Sequence, residues 1–167
     1  MKVVAIPECA LLLALALMPT PLNADATAEA RKQIQAAYGR ENAATARKDT
    51  SGVVANMSPD YVTSDVRGQT ATVELIRQTL PKIFASTLSL KAKTVITKFA
   101  LKGNEADVTV KEHADITLFN QKTGKSSRLV VDETAQTTWV KTASGWKKKR
   151  NRTLSSHQTL DGKVVPS

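Results

Sequence analysis

The stretch "ADVTVKEHADITLF", residues 106–119, changes character at every second residue. Its even positions are Ala106, Val108, Val110, Glu112, Ala114, Ile116 and Leu118, while its odd ones are Asp107, Thr109, Lys111, His113, Asp115 and Thr117. Successive side chains of a strand point to opposite faces, so this is a strand with one buried face, apolar but for a single glutamate. The segment "LVVDETAQTTW", residues 129–139, repeats the pattern on odd positions: Leu129, Val131, Glu133, Ala135, Thr137 and Trp139. A turn centred between Lys122 and Thr123 makes the two greasy faces coincide, setting Ile116 against Leu129, Ala114 against Val131 and Val110 against Ala135. In that register Glu112 faces Glu133.

Side chains directly opposite in an antiparallel pair have Cβ atoms about 4.5–5.5 Å apart. Two carboxyls at that distance on an apolar face do not both ionise unaided; one takes up a proton or a cation sits between them. The run "WKKKRNRTL", residues 146–154, is the nearest source of a cation. Trp146 and Leu154 share a parity, which predicts Arg150 and Arg152 on the inner face with them, Lys148 reaching out to water at the rim, and Lys147, Lys149, Asn151 and Thr153 outside. A turn over Thr142–Gly145 then sets Leu154 opposite Glu133.

Strands are predicted over roughly 88–102, 106–119, 127–141 and 146–158, broken by Gly103-Asn104, Thr123-Gly124 and Ser144-Gly145, all turn-forming pairs. The N-terminal half is helical. From Thr27 to Lys48 the residues Ala30, Ile34, Ala37, Tyr38, Ala44 and Thr45 recur at three and four. Asp49-Thr50-Ser51 caps a short second helix, "YVTSDVRGQT" alternates and turns at Gly68, and Thr70 or Thr72 caps a third helix that contains Pro81. Helices first and strands afterwards predict an α+β domain, three helices packed on the concave face of a curved antiparallel sheet.

Residues 1–26 have the order of a secretory signal peptide: Lys2, an apolar run from Cys9 to Met18, then small residues ending at Ala26. Ten apolar residues fall short of the roughly 20 that cross a bilayer. Cleavage near Ala26 predicts a secreted or periplasmic chain with no transmembrane segment, one domain over 27–163 and a loose end at 164–167. The chain carries 24 Lys and Arg against 15 Asp and Glu. Removing Lys2, Glu8 and Asp25 leaves 23 against 13, a formal charge of +10. The single cysteine leaves with the leader, and two histidines offer little for a transition metal, so no metal and no cofactor are expected. A basic chain without a stacking platform of aromatics is not read as a nucleic-acid module.

The order helix, short helix, "SPDYVTSDVRG" hairpin, third helix and long strands ending in "TTWVKTASGWKKKR" resembles the nuclear transport factor 2-like superfamily, in particular its SnoaL-like exported bacterial members. The resemblance spans about residues 28–163 and implies a cone-shaped α+β roll of the cystatin-like kind. It also implies an open-ended pocket between sheet and helices, and homodimers formed through the sheet. Members that are enzymes, such as ketosteroid isomerase and scytalone dehydratase, transfer protons with pocket Asp, His or Tyr; here His113 reads outward, and Asp65 stands near an isomerase-type base position.

The candidate acid–base residues are therefore Glu133, Glu112 and Asp65, and the candidate ligand contacts are Tyr38, Tyr61, Trp139, Arg150 and Arg152. Each has a structural alternative: an inert ion network for the two glutamates, a turn-stabilising role for Asp65, simple core for the aromatics. Three functions fit: a binding domain for a small organic or anionic ligand, a lyase or isomerase using a pocket carboxyl, or a dimeric interaction module with a filled interior.

Overall fold

The computed structural model describes residues 21–165. Helix α1 (Pro21–Ala46) is followed by α2 (Thr50–Val54), β1 (Met57–Ser64), β2 (Thr70–Thr72), α3 (Val73–Ala85), β3 (Thr87–Lys102), β4 (Glu105–Asn120), β5 (Lys125–Thr142), β6 (Gly145–Leu160) and β7 (Lys163–Val165). The apolar run of the expected leader lies outside the described residues, and α1 begins at Pro21 rather than Thr27. Among the described residues no helix is long and apolar enough to cross a membrane.

The chain turns sharply after α1. Lys48 adopts a left-handed conformation (φ 60°), and Asp49 N–H returns to the Ala44 carbonyl, closing the helix. The Asp49 carboxylate then accepts from Gly52 N–H at 3.0 Å, capping α2. A Cβ at Gly52 would stand 2.6 Å from both Ala44 Cβ and Asp49 Oδ2, so only glycine allows this approach of α2 to α1. Thr72 caps α3 in the same way, accepting from Leu75 N–H at 3.3 Å.

The sheet is curved, unclosed and mixed, in the order β2-β1-β6-β5-β4-β3. The four long strands form an antiparallel meander. To it β1 adds a parallel neighbour along β6, with Val62 opposite Arg150 and Ser64 opposite Arg152. Across β4 and β5 the register is the one the alternation predicts: Ile116–Leu129, Ala114–Val131, Glu112–Glu133 and Val110–Ala135 are partners.

On β6 the period of two breaks twice. Between the pairs Trp139–Lys148 and Thr138–Arg150 the residue Lys149 is extra, and between Ala135–Thr153 and Thr134–Ser155 the residue Leu154 is extra. Each such bulge moves the following side chains to the other face. Trp146, Lys148, Asn151, Thr153, Ser156 and Gln158 consequently face inward. Arg150 and Arg152 are exposed on the outer face, contrary to the expectation that they enter the interior. Leu154 is 47 % exposed, and Ser156, not Leu154, stands opposite Glu133. Lys148, expected at the rim, is buried.

The end expected to be loose is partly ordered. Asp161 and Gly162, both at positive φ, turn the chain so that Lys163–Val165 pair with the end of β6. The Asp161 carboxylate accepts from Arg128 N–H at 2.7 Å. An Asp-Gly pair is among the strongest hairpin signals a sequence carries.

The principal core lies where α1 crosses the sheet. Ile34, Ala37 and Tyr38 pack on Ile96, Ala106, Val108, Val110, Ala135 and Trp139. Helix α1 also closes the open edge of the sheet. The Gln35 side-chain amide donates to Thr94 O at 2.9 Å and accepts from Ile96 N–H at 3.1 Å, and Arg31 reaches Ile96 O at 3.3 Å. One glutamine thus occupies the hydrogen-bonding groups that a further strand would use.

Candidate functional site

The inward stripe of α1 changes chemistry along its length. Ile34, Ala37 and Tyr38 are apolar or aromatic, and the next positions on the same face, three and four residues on, are Glu41 and Asn42, then Thr45. Opposite this polar end stand Glu112 and Glu133. Together these residues bound a cavity of about 270 Å³ between α1 and the inner face of β3–β5, with Thr94, Ile116 and Val131 completing the wall.

Below the cavity lies the cation that the paired carboxyls call for, and it is Lys148. Its ammonium is 2.6 Å from Glu41 Oε1, and the two side chains are 7 % and 15 % exposed. It also lies 5.3 Å from the centre of the Tyr38 ring and 5.9 Å from that of Trp139, within cation–π range. Burial alone would push Lys148 towards its neutral form. The opposing attraction of Glu41, aided by Tyr61 and Tyr38, outweighs it and holds the amine protonated above its ordinary value. Lys148 faces inward with Trp146, two residues before it, and pairs with inward-facing Trp139; the bulge at Lys149 acts only on the residues that follow, turning Arg150 and Arg152 outward.

Glu112 has a different environment. Burial pushes its carboxyl up from the ordinary glutamate value; Lys148 opposes the rise, while Glu41 and Glu133 add to it. Among the described residues nothing donates a hydrogen bond to it. Glu133, its cross-strand partner, accepts at Oε1 from Ser156 Oγ at 2.9 Å. The second oxygen of Glu41, Oε2, is buried and has no partner. A buried polar atom without a partner costs about 1–3 kcal/mol.

The aromatics expected to line a pocket are core instead. Tyr38 is 2 % exposed and Trp139 0 %, packed edge to face with ring centroids 5.1 Å apart. A directed hydrogen-bond chain links them to the sheet: Trp139 Nε1–H donates to Tyr38 Oη, Tyr38 Oη–H to Thr137 Oγ1, Thr137 to Asn151 Oδ1, and Asn151 Nδ2–H to Thr63 Oγ1. Burial raises the Tyr38 phenol to about 12, which removes it as a proton donor near neutrality. Tyr61 packs separately with Val54 and Val73, and burial raises its phenol too.

Asp65 serves its own turn, accepting from Arg67 N–H at 2.9 Å and Gln69 N–H at 2.8 Å. Its turn nonetheless meets Glu133 at a smaller cavity of about 80 Å³, which Thr153 and Ser156 also line. His113 is outside, its Nδ1 2.8 Å from Asp132 Oδ1 on the outer face of the sheet. Arg150 and Arg152 do not reach the site. Among the described residues no group of three or more His, Cys, Asp or Glu is placed to hold a metal ion.

The reading by parity missed Glu41, Asn42 and Lys148. Glu41 was within reach of the helical period, standing seven residues after Ile34 and three after Tyr38. Lys148 shares the parity of Trp146, but its long stem was expected to carry the ammonium to the rim, whereas it stays inside against Glu41.

Helices ahead of a curved, unclosed sheet, with a cavity under the first helix, define the nuclear transport factor 2-like fold, and this chain has it. Solved structures share the architecture at low identity. A nuclear transport factor 2-like superfamily protein from Salmonella enterica serovar Typhimurium superposes with a TM-score of 0.60 at 16 % identity, over 76 % of this chain and 91 % of that one. A ketosteroid isomerase-like protein from Erwinia carotovora atroseptica gives 0.59 at 18 %, over 83 % and 98 %. A type 2 hexachlorocyclohexane dehydrochlorinase gives 0.66 at 9 %, over 86 % and 97 %. No family model matches the sequence. No curated protein matches it either.

Proposed function

We propose that this protein is an exported binding domain for a small ligand, held in the cavity between α1 and the inner face of β3–β5. The observation that carries the reading is the cavity of about 270 Å³ itself, because it lies where the core gives way to polar side chains from three directions. It favours a ligand over a filled interior. The anion clamp expected from Arg150 and Arg152 is no part of the reading, since both are on the outer face. Self-association through the outer face of the sheet and export by the N-terminal leader complete the proposal.

Native mass spectrometry of the purified chain, alongside Ala114→Phe, tests it. Ala114 lines the cavity, and a phenyl ring there fills it. A small molecule retained by the wild type and absent from a folded Ala114→Phe variant is the expected result. A ligand retained equally by both would place binding elsewhere.

A second reading, a lyase or isomerase, is favoured by one specific observation: burial and two neighbouring carboxylates push Glu112 towards the protonated form, as a general acid requires. The isomerase-like and dehydrochlorinase neighbours are consistent with it. Any turnover found should collapse in Glu112→Gln with the fold intact; unchanged turnover would remove Glu112 from the chemistry.

A further inference from the structure

At one end of the molecule apolar and basic side chains are exposed together and acids are scarce. No Asp or Glu occurs in residues 75–104 or in residues 116–131. The fold joins these two segments. Phe119 N–H, near the end of β4, donates to Ser86 O, just after α3, at 2.8 Å, and Thr87 pairs with Leu118. Around this junction Ile83, Leu88, Phe119 and Leu160 are between 37 % and 57 % exposed, four of the nine large apolar side chains exposed among the described residues. Single apolar residues scattered over a surface need no explanation, whereas a group at one place does. Ser86, Leu118, Phe119, Lys122 and Leu160 border a groove of about 660 Å³ there, and no acidic residue lines it.

The charges at this end are free. Lys82, in the last turn of α3, and Lys122 and Lys125, at the turn between β4 and β5, are exposed, and among the described residues their ammonium groups have no partner. The acids that border the segments are committed. Asp115 holds the Arg128 guanidinium at 2.7 Å, and Asp161 accepts from Arg128 N–H at 2.7 Å.

We infer that this end docks on an anionic lipid bilayer. Ile83, Leu88, Phe119 and Leu160 enter the boundary between headgroups and acyl chains, and Lys82, Lys122 and Lys125 lie among the headgroups. Such docking is peripheral and needs no spanning helix. It is also separate from the cavity under α1. The chemistry favours lipid over a protein partner. Protein interfaces are built on Trp, Tyr and Arg and are poor in Lys. Here the free charges are all lysines, point charges on flexible stems, and Arg128 is tied to Asp115. Trp139 and both tyrosines are buried elsewhere. A fluid bilayer asks for apolar area and positive charge without a fixed shape, and this end supplies both.

The test titrates the full chain with vesicles of phosphatidylcholine and with vesicles of an equal mixture of phosphatidylcholine and phosphatidylglycerol. Binding is read by co-sedimentation. The mixed vesicles should bind at least about ten-fold more tightly than the neutral ones, since each lysine beside an anionic surface contributes about five-fold. Lys82→Gln, Lys122→Gln and Lys125→Gln combined should cost about 100-fold by the same reckoning. Phe119→Ser alone should cost about five-fold, from lost apolar burial. Lys98→Gln, Arg150→Gln and Arg152→Gln remove the same number of charges further along the strands. Together they should leave binding within about two-fold, because the surface potential is screened over about 8–10 Å. The apolar run of residues 9–18 is the same in every variant. In Phe119→Trp, brominated lipid should quench fluorescence beyond the background that Trp139 and Trp146 give in the wild type. Equal losses from the two triple variants would reduce the effect to net charge and overturn the docking surface. Indifference to Phe119→Ser, or no added quenching in Phe119→Trp, would overturn it too. No sedimentation with the mixed vesicles would overturn the bilayer and leave this end to a protein partner.

Discussion

The β4–β5 ribbon has two ends that share strands, parity and register, yet they are physically unlike. At one end Ala106, Val108, Val110, Ala135 and Trp139 are buried to 1 % exposure or less beneath Ile34 and Tyr38. At the other, Glu112, Ala114, Ile116, Val131 and Glu133 are only half-buried. Alternation fixes the direction in which a side chain points. What covers it is decided by another element, here α1, whose inward stripe is apolar over one end and turns to Glu41, Asn42 and Thr45 over the other. The dry end makes the fold, and the wet end is left open.

The sharpest way to break that contrast is at the seam. Lys148→Met strands the Glu41 carboxylate in a largely buried site and should cost about 3–5 kcal/mol in urea denaturation. Adding Glu41→Leu should restore most of the loss, because the double substitution leaves no unpaired charge. If the single variant unfolds at the wild-type midpoint, the ion pair does not join the two ends.

Within the dry end, Tyr38→Phe removes the acceptor of Trp139 Nε1–H and the donor to Thr137 while keeping the ring. A loss of about 1–3 kcal/mol is expected, with far-ultraviolet circular dichroism unchanged. A smaller loss would mean that water replaces the phenol, and the end is then not dry.

At the wet end the sign reverses. The raised value of Glu112 means that the native state still holds a proton at pH values where the unfolded chain has released it, so native stability falls as pH rises through that window. Glu112→Gln removes this penalty. The variant should match the wild type near pH 4, around the ordinary carboxyl value, and exceed it at pH 8, by less than the Tyr38 effect. A difference independent of pH would show that Glu112 titrates normally.

The smallest effect belongs to the outer face. Arg150→Ala and Arg152→Ala should each change stability by no more than about 0.5 kcal/mol and leave any ligand retained by the pocket in place. A large loss in either would return these arginines to the interior.

How much of this could be read from residues alone depended on whether a local period survived. Between residues 106 and 139 it did: apolar residues mark one face at nearly every second position, and the turn at Thr123-Gly124 leaves a single register that buries them all. On β6 only Trp146 and Leu154 mark a face over nine residues, and two bulges fall within that span. Nothing in a run of lysines and arginines signals that Lys149 is skipped, so parity keeps Arg150 and Arg152 inside, while Lys148, inward by the same parity, is sent to the rim only by the length of its stem. Glu41 was legible by the helical period yet stands in a stripe recognised by its apolar members. The aromatic residues Tyr38 and Trp139 were correctly placed inward, but only the packing of α1 tells core from pocket lining.

Gln35 has a consequence for the protein in concentrated surroundings. A sixteen-residue border strand with open amides invites a neighbouring molecule to extend the sheet, and the four lysines along it, Lys91, Lys93, Lys98 and Lys102, discourage that only by repulsion. The glutamine fork acts differently: it seals Thr94 and Ile96 from within the same molecule, so the seal does not weaken as salt rises. A single uncharged side chain thus guards the middle of the longest exposed border of the sheet.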